Sequence, residues 1–124
     1  MDGEKVLTLD EAKKIFLRMR DYPDYTVYVA ETDGIAAGTF ALAIMDNMAH
    51  MGKKSGLIED FVVLRSHRRR GVGRAMINRA VGICRAKSCY KVALSSNIKR
   101  NEAREFYESL GFKIHGYSFV TELE

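Results

Sequence analysis

Arg68-Arg69-Arg70-Gly71-Val72-Gly73-Arg74 is the densest run of chemically capable residues in this 124-residue chain. Guanidiniums hold phosphate oxygens through paired, charge-assisted N–H donors. Glycines let an anion come close to the backbone. The run follows an apolar stretch, residues 57–64, and precedes Met76, Ile77, Ala80, Val81 and Cys84 at helical spacing. A helix opening there presents unpaired N–H groups and the positive end of its dipole. Strand, glycine turn and helix together make an anion cradle. The run is not a P-loop, because no Gly-Lys-Ser/Thr follows. It is not the dinucleotide fingerprint either, because Met76 stands where the third glycine would be. Taken alone, it is equally a glycine-eased turn with a solvated basic face.

Net charge is +4, from 20 Lys and Arg against 16 Asp and Glu. Residues 65–74 hold five arginines and no acid, which leaves the rest of the chain at −1. Nucleic-acid backbones are met by basic faces or stripes, often with interleaved aromatics. One dense spot suits one compact anion such as a pyrophosphate. No nucleic-acid partner is therefore expected.

Glu59 and Asp60 interrupt the apolar stretch. Successive strand residues face opposite ways, so the two acids compete for one role. An acid inside an apolar strand is expected to have a raised pKa, which suits proton abstraction near neutrality. The other acid then sits solvated on an exposed sheet face. Tyr107 is in register with Ala103 and Leu110, so spacing alone reads it as a core aromatic. His50, His67 and His115 lack metal-ligand spacing, and no metal is expected. Ser95 and Ser96 lack a nucleophile-elbow context, and Cys89 reads as buried filler.

These residues need elements to hold them. Thr8 and Glu11 fit a capping box for a helix over 9–20, with Leu9, Ala12, Ile15, Phe16 and Met19 at helical spacing. Pro23 stops it. Residues 25–31 read as a strand, Asp33-Gly34 as a turn and 35–45 as the return strand. Residues 46–56 read as a loop and 57–64 as a central strand. After the arginine run come a helix, a short buried strand over 90–94, and a helix through Ala103, Phe106, Tyr107 and Leu110 closed by Gly111. Residues 112–115 and 117–123 read as a final hairpin about Gly116. The predicted order α-β-β-β-α-β-α-β-β is an α/β (α+β) fold with helices flanking one mixed sheet.

The length suits a single domain, 1–124. With 47% hydrophobic and 29% charged residues, disorder is excluded as the main state. No apolar run is long enough for a membrane span, and the acidic start has no signal-peptide core. No membrane partner is expected. Two cysteines make no disulfide framework, so a cytoplasmic location is expected.

The spacing Arg68-x-x-Gly71-x-Gly73 resembles the acetyl-CoA signature of the GNAT superfamily of N-acetyltransferases, Gln/Arg-x-x-Gly-x-Gly/Ala. Asn101, Ala103, Phe106, Tyr107, Gly111 and Phe112 are similar to that superfamily's pantetheine and tyrosine segment, in the right order. The resemblance covers the chain from Leu57 to the C-terminus. Residues 58–60 and 89–92 resemble glucosamine-6-phosphate N-acetyltransferases. Residues 94–100 and the tail look more like aminoalkylphosphonate N-acetyltransferases.

The resemblance implies a mostly antiparallel sheet and direct attack of a primary amine on acetyl-CoA in a ternary complex. It implies a small acceptor bearing a phosphate or phosphonate. By the same resemblance, the backbone from Arg69 through Gly71, Val72 and Gly73 to Arg74 cradles the pyrophosphate, and Arg68, Arg69, Arg70 and Arg74 reach the CoA phosphates. Phe61, Val62 and Val63 pair with the pantetheine, while Asn97 and Asn101 lie along it. Tyr107 becomes the general acid for the departing thiolate, its phenol having an ordinary pKa near 10. Asn101 alternatively caps its helix. Glu59 or Asp60 becomes the base. Lys53 and Lys54 suit an anionic acceptor, and Met45, Met48 and Met51 are expected to line an apolar loop near it. The superfamily usually opens with a strand and helix that this chain starts too late to supply, which uncovers a sheet edge and favours a homodimer. A CoA-binding module of the same fold without turnover is the competing reading.

Overall fold

The structure is a computed structural model that describes residues 5–96 and 99–124. Helix α1 (Leu9–Arg20) opens with the expected capping box. Thr8 Oγ1 accepts from the Glu11 N–H at 3.1 Å, and Glu11 Oε1 accepts from the Thr8 N–H at 3.0 Å. Strands β1 (Tyr25–Thr32) and β2 (Ile35–Met45) form a hairpin through Asp33 and Gly34, both at positive φ. Strand β3 (Ser55–Val63) runs antiparallel to β2. Helix α2 (Val72–Ala86) then crosses to β4 (Lys91–Leu94), which lies parallel to β3. The sheet order β1-β2-β3-β4 is mixed and mostly antiparallel, as expected. Strand β3 starts earlier than its apolar pattern, because Ser55 pairs with both Met45 and Lys91. Among the described residues no helix is long and apolar enough to cross a membrane.

One face of the sheet carries the core. Phe40, Leu42, Ile44 and Ile58 meet Met76, Ile77, Ala80 and Cys84 of α2, and all eight are buried. Each fully buried apolar side chain of this size contributes about 1.5–3 kcal/mol. The helix lies so close that Cys84 Sγ occupies the place a Cβ on Gly56 would take. Burial, with Cys89 beside it, pushes the Cys84 thiol up to about 12. The C-terminus of α2 explains that neighbour. Ser88 N–H donates to Arg85 O at 3.0 Å and Cys89 N–H to Cys84 O at 2.9 Å. This cap brings the side chains of Cys84 and Cys89 together. Cys89 is therefore a packing residue, half-buried rather than fully buried.

Helix α3 (Asn101–Ser109) ends the same way. Gly111, at φ 92, donates to Glu108 O at 3.1 Å, and Phe112 N–H donates to Tyr107 O at 3.1 Å. Helix α1 buries no residue. It stands over β1 across a groove of about 290 Å³ that includes Phe16, Met19 and Tyr25.

The predicted C-terminal hairpin is absent. Residues after Gly111 form no strand, and Ile114, Tyr117, Phe119, Val120 and Leu123 are 65–93% exposed. The segment has the residue types of a strand, but no strand lies beside it to complete its ladder. A lone hairpin is marginal in water. The strand expected over 90–94 is also reduced. It begins at Lys91 and is a half-buried edge.

Gly56→Ala is expected to destabilise the fold by about 1–3 kcal/mol through overpacking against Cys84. In a Cys84→Ala background the same change should cost distinctly less, a coupling that denaturant titrations of the four chains would read. The backbone N–H of Thr8 holds the Glu11 carboxyl below its ordinary value. A depressed carboxyl stabilises above its unfolded pKa and loses that effect as pH falls through the folded value. Amide protection factors in α1, taken relative to the intrinsic exchange rate at each pH, should therefore fall under acid, and less so in Glu11→Gln, which lacks the charge at every pH.

Candidate functional site

Strands β3 and β4 pair only from Ser55–Lys91 to Ile58–Leu94. Beyond that point β3 continues from Glu59 to Val63 with no described strand on that side. Asp60 marks the parting, with a left-handed φ of 52. The register with β2 shifts there: Glu59 faces Ala41 and Val62 faces Thr39, leaving Asp60 and Phe61 opposite Phe40. This is a bulge, which bends a strand and re-aims its side chains. Phe61 now packs toward α2 and α3, with ring centroids 6.3 Å from Phe40 and 6.1 Å from Tyr107. Val63 lies beside Gly73, and Val62 points away, partly exposed.

The parting leaves a cleft of about 100 Å³ lined by Glu59, Asp60, Phe61, Leu94 and Ser95. Glu59 and Asp60 were expected on opposite faces. The bulge breaks the alternation, and both line this cleft. Both are also exposed, so the burial expected of an acid in an apolar strand is not there. A third polar group joins them. The Tyr25 phenol is pushed up by burial first, then by the negative charges of Asp60 and Glu59. Tyr25 lies two strands away, opposite Ala43, which faces Leu57. No local pattern could have tied it to Glu59.

At the far end of this β3 segment stands the arginine loop. A short 3-10 turn, Arg65–His67, leads to Arg69 at φ 63 and Gly71 at φ 81. Gly71 is the N-cap of α2 and supplies no side-chain bond. Its positive φ favours glycine, and the space beside its Cα is open. The first α2 backbone bond is Ala75 N–H to Gly71 O at 3.0 Å. The N–H groups of Val72, Gly73 and Arg74 therefore have no partner within the helix. Arg68 turns back, its Nε donating to Val63 O at 3.3 Å, which ties the loop to the end of β3. Arg69, Arg70 and Arg74 are exposed and form no ion pair with the described residues. At Gly73 a Cβ would lie 3.1 Å from Phe106 Cζ, so the first turn of α2 packs against α3.

Tyr107 is half-buried, its ring 5.2 Å from Phe106 and 6.2 Å from Phe112. The packing read from its spacing holds, and its hydroxyl has no hydrogen bond among the described residues. Burial pushes its phenol up, opposed by the charge of Arg100. Arg100 is a second neighbour that spacing did not single out. Asn101 is exposed and is the first residue of α3, not its cap. Asn97 lies outside the described residues.

The loop over 46–54 is not near this cleft. Tyr90 N–H donates to Lys54 O at 2.8 Å, and His50 stacks on Tyr90 at 4.0 Å. Those contacts hold the loop at the start of β4, whereas the cleft lies at its end. Lys53, Lys54, Met48 and Met51 therefore sit away from Glu59 within the same chain, and Met45 pairs with Ser55 at that same end.

An uncapped helix start, open space at Gly71, three free guanidiniums and an unpaired strand edge leading to a cleft fit an extended ligand with a pyrophosphate at one end. That is the shape and chemistry of a CoA thioester. Residues 4–112 match the Acetyltransferase (GNAT) family, and the chain belongs to that family. It is 39% identical over 89 residues to glucosamine 6-phosphate N-acetyltransferase of Trypanosoma brucei brucei, covering 72% of this chain and 58% of that protein. The enzyme of the same name from Arabidopsis thaliana is 31% identical over 108 residues, covering 85% and 70%. A crystal structure of glucosamine-6-phosphate N-acetyltransferase from Arabidopsis thaliana superposes with a TM-score of 0.85 at 26% identity, covering 100% of this chain and 83% of that one.

Replacing Arg70 and Arg74 together by alanine should leave the unfolding midpoint within the small range typical of surface changes. Charge-assisted hydrogen bonds contribute about 1.5–3 kcal/mol each. CoA binding by calorimetry should therefore weaken at least tenfold.

Proposed function

We propose that residues 1–124 form an N-acetyltransferase domain that moves the acetyl group of acetyl-CoA to the primary amine of a small phosphorylated acceptor, with glucosamine 6-phosphate the first candidate. The observation that carries the reading is the parting of β3 from β4 after Ile58, which leaves an open strand edge running from the carboxylate cleft to the uncapped start of α2. The acceptor class is supported by the names of the relatives. Two free thiols, Cys84 and Cys89, suit a reducing, cytoplasmic setting.

Acetyl-CoA supplies a thioester carbonyl and a thiolate leaving group. In this reading the N–H groups of Val72, Gly73 and Arg74 hold the pyrophosphate, with Arg69, Arg70 and Arg74 neutralising its charge. The free edge of Phe61, Val62 and Val63 aligns the pantetheine arm and offers N–H groups where negative charge develops on the carbonyl oxygen. Preorganised donors of this kind are worth about 3–4 kcal/mol in a transition state. Glu59 or Asp60 takes a proton from the acceptor's ammonium, directly or through water, and the neutral amine then attacks the thioester carbonyl. Tyr25, near enough to both carboxylates for their charges to raise its phenol, helps to orient them. Tyr107 gives its proton to the departing sulfur. A raised phenol pKa keeps that proton in place over a wider pH range. Much of the acceleration comes from holding amine and thioester together.

Saturation with acetyl-CoA at about 100 times its Kd should add roughly 2.7 kcal/mol and move the thermal midpoint by several degrees. Thiol release should then depend on glucosamine 6-phosphate. Tyr107→Phe should lower kcat by about 10²–10⁴ while CoA affinity is kept. On the alkaline side, activity of the parent chain should fall as pH rises through the raised phenol pKa. A midpoint shift without thiol release from any phosphorylated amine would make the chain a CoA-binding module instead. No shift in a folded sample would overturn the donor site.

A further inference from the structure

We propose that Arg100 is a positioning residue for the reaction: it stands on the Tyr107 side of α3, and its guanidinium stabilises the phenolate that Tyr107 becomes when it gives its proton away. This deepens the reading of Tyr107 as the general acid and rests on it. In that step the C–S bond of the thioester breaks, its electron pair goes to sulfur, and sulfur takes the phenol's proton. The phenolate stays negative until water returns a proton.

Arg100 occupies the N-cap position of α3, seven residues before Tyr107. At about 3.6 residues per turn, the two lie within about 20° of each other around the helix. Asn101 lies about 120° from Tyr107 by the same count. Ala103 sits between Arg100 and Tyr107 on that side, half-buried, and its methyl group leaves room for a long side chain to pass. Helical side chains lean toward the N-terminus, which carries the Tyr107 ring toward Arg100. The field of Arg100 reaches the phenol and opposes the upward push of burial.

The rings packed on Tyr107 are uncharged: Phe61 of β3, Phe106 of α3 and Phe112 beyond it. Among the described residues, Arg100 is the charge that shifts this phenol. Arg104, the other cation in the first turn of α3, is held by Glu108 at 2.7 Å. The Arg100 guanidinium has no ion pair or hydrogen bond with a described residue. A cation beside a half-buried phenol gains little while the phenol is neutral and attracts it once the proton has left. An interaction that strengthens as charge develops is the kind that speeds a step. A guanidinium also keeps its charge at every pH where a phenol titrates. Burial holds the proton on Tyr107, and Arg100 lets it leave.

Arg100 is exposed, so Arg100→Gln should keep the parent's unfolding midpoint. Carbon-13 resonances of the tyrosine rings, with Tyr107→Phe to identify the signal, should show the Tyr107 phenol titrating at higher pH in Arg100→Gln than in the parent. With acetyl-CoA and glucosamine 6-phosphate, kcat below the alkaline limb should fall about two- to fivefold. The limb itself should move to higher pH, and the Kd for acetyl-CoA should stay. Arg100→Lys should restore most of the titration and the rate. A merely structural role would move neither the limb nor the titration. An unchanged titration overturns the proposal whatever the rates do. A weaker acetyl-CoA Kd with kcat kept makes Arg100 a donor-binding residue and overturns it too. So does a shifted titration with rate and limb unchanged. In that case a loss of kcat in Tyr107→Phe means that Arg100 alone has failed, and no loss means that the general-acid reading fails with it. The ring titration is read without substrate, so its outcome is separate from that of the proposed reaction.

Discussion

The backbone at Asp60 turns left-handed in the middle of an otherwise regular strand, and the site depends on that turn. A left-handed L-residue costs about 1–2 kcal/mol, less for aspartate than for most. Before the turn, Gly56 and Ile58 face α2. A regular strand would then send Phe61 and Val63 to the opposite face, with Glu59. The bulge returns them to the core, where Phe61 meets Phe40, Phe106 and Tyr107. The same step leaves both carboxylates at the cleft and ends the pairing with β4. Burial of two apolar side chains on the core side offsets the local strain.

The arginine-loop end of the site is held by packing rather than by charge. Helix α2 is anchored along its length by Met76, Ile77, Ala80 and Cys84, the last set into the gap at Gly56. Its start touches Phe106 through Gly73, and Phe106 neighbours Tyr107. The uncapped N–H groups, the strand edge and the phenol are thus parts of one rigid contact set. The ion pair Lys87–Asp24, at 2.7 Å, joins the other end of α2 to the start of β1. It is largely solvated and contributes at most about 1 kcal/mol. Concentrated arginine charge near Gly71 adds to a position that the apolar core has already set.

Features written in short spans of sequence were legible. The capping box of α1, the Asp33-Gly34 turn and the glycine after α3 each depend on a few neighbouring residues, and each stands where the local chemistry puts it. The paired motifs at Arg68–Gly73 and Asn101–Phe112 were legible for the same reason. The face of each carboxylate was not, because a bulge depends on what the partner strand and the helix behind it need to bury. Tyr25 was not, because two strands separate it from Glu59. The loop with Lys53 and Lys54 was misplaced because its end of the sheet is decided by the stacking of His50 on Tyr90.

The tail shows the division most plainly. Residues 112–123 have strand composition and spacing, and composition alone predicted a strand pair. Hydrogen bonding in a sheet is non-local: a strand exists only where another backbone offers its free edge. By itself the sequence determined the helices, the turns, the glycine turn before α2 and the family to which they belong, because capping, glycine geometry and apolar period act over a few residues. Only the tertiary structure decided which carboxylates share the cleft, which tyrosine feels their charge and which segment of the chain forms no strand, because those follow from how distant segments compete to bury surface and satisfy backbone.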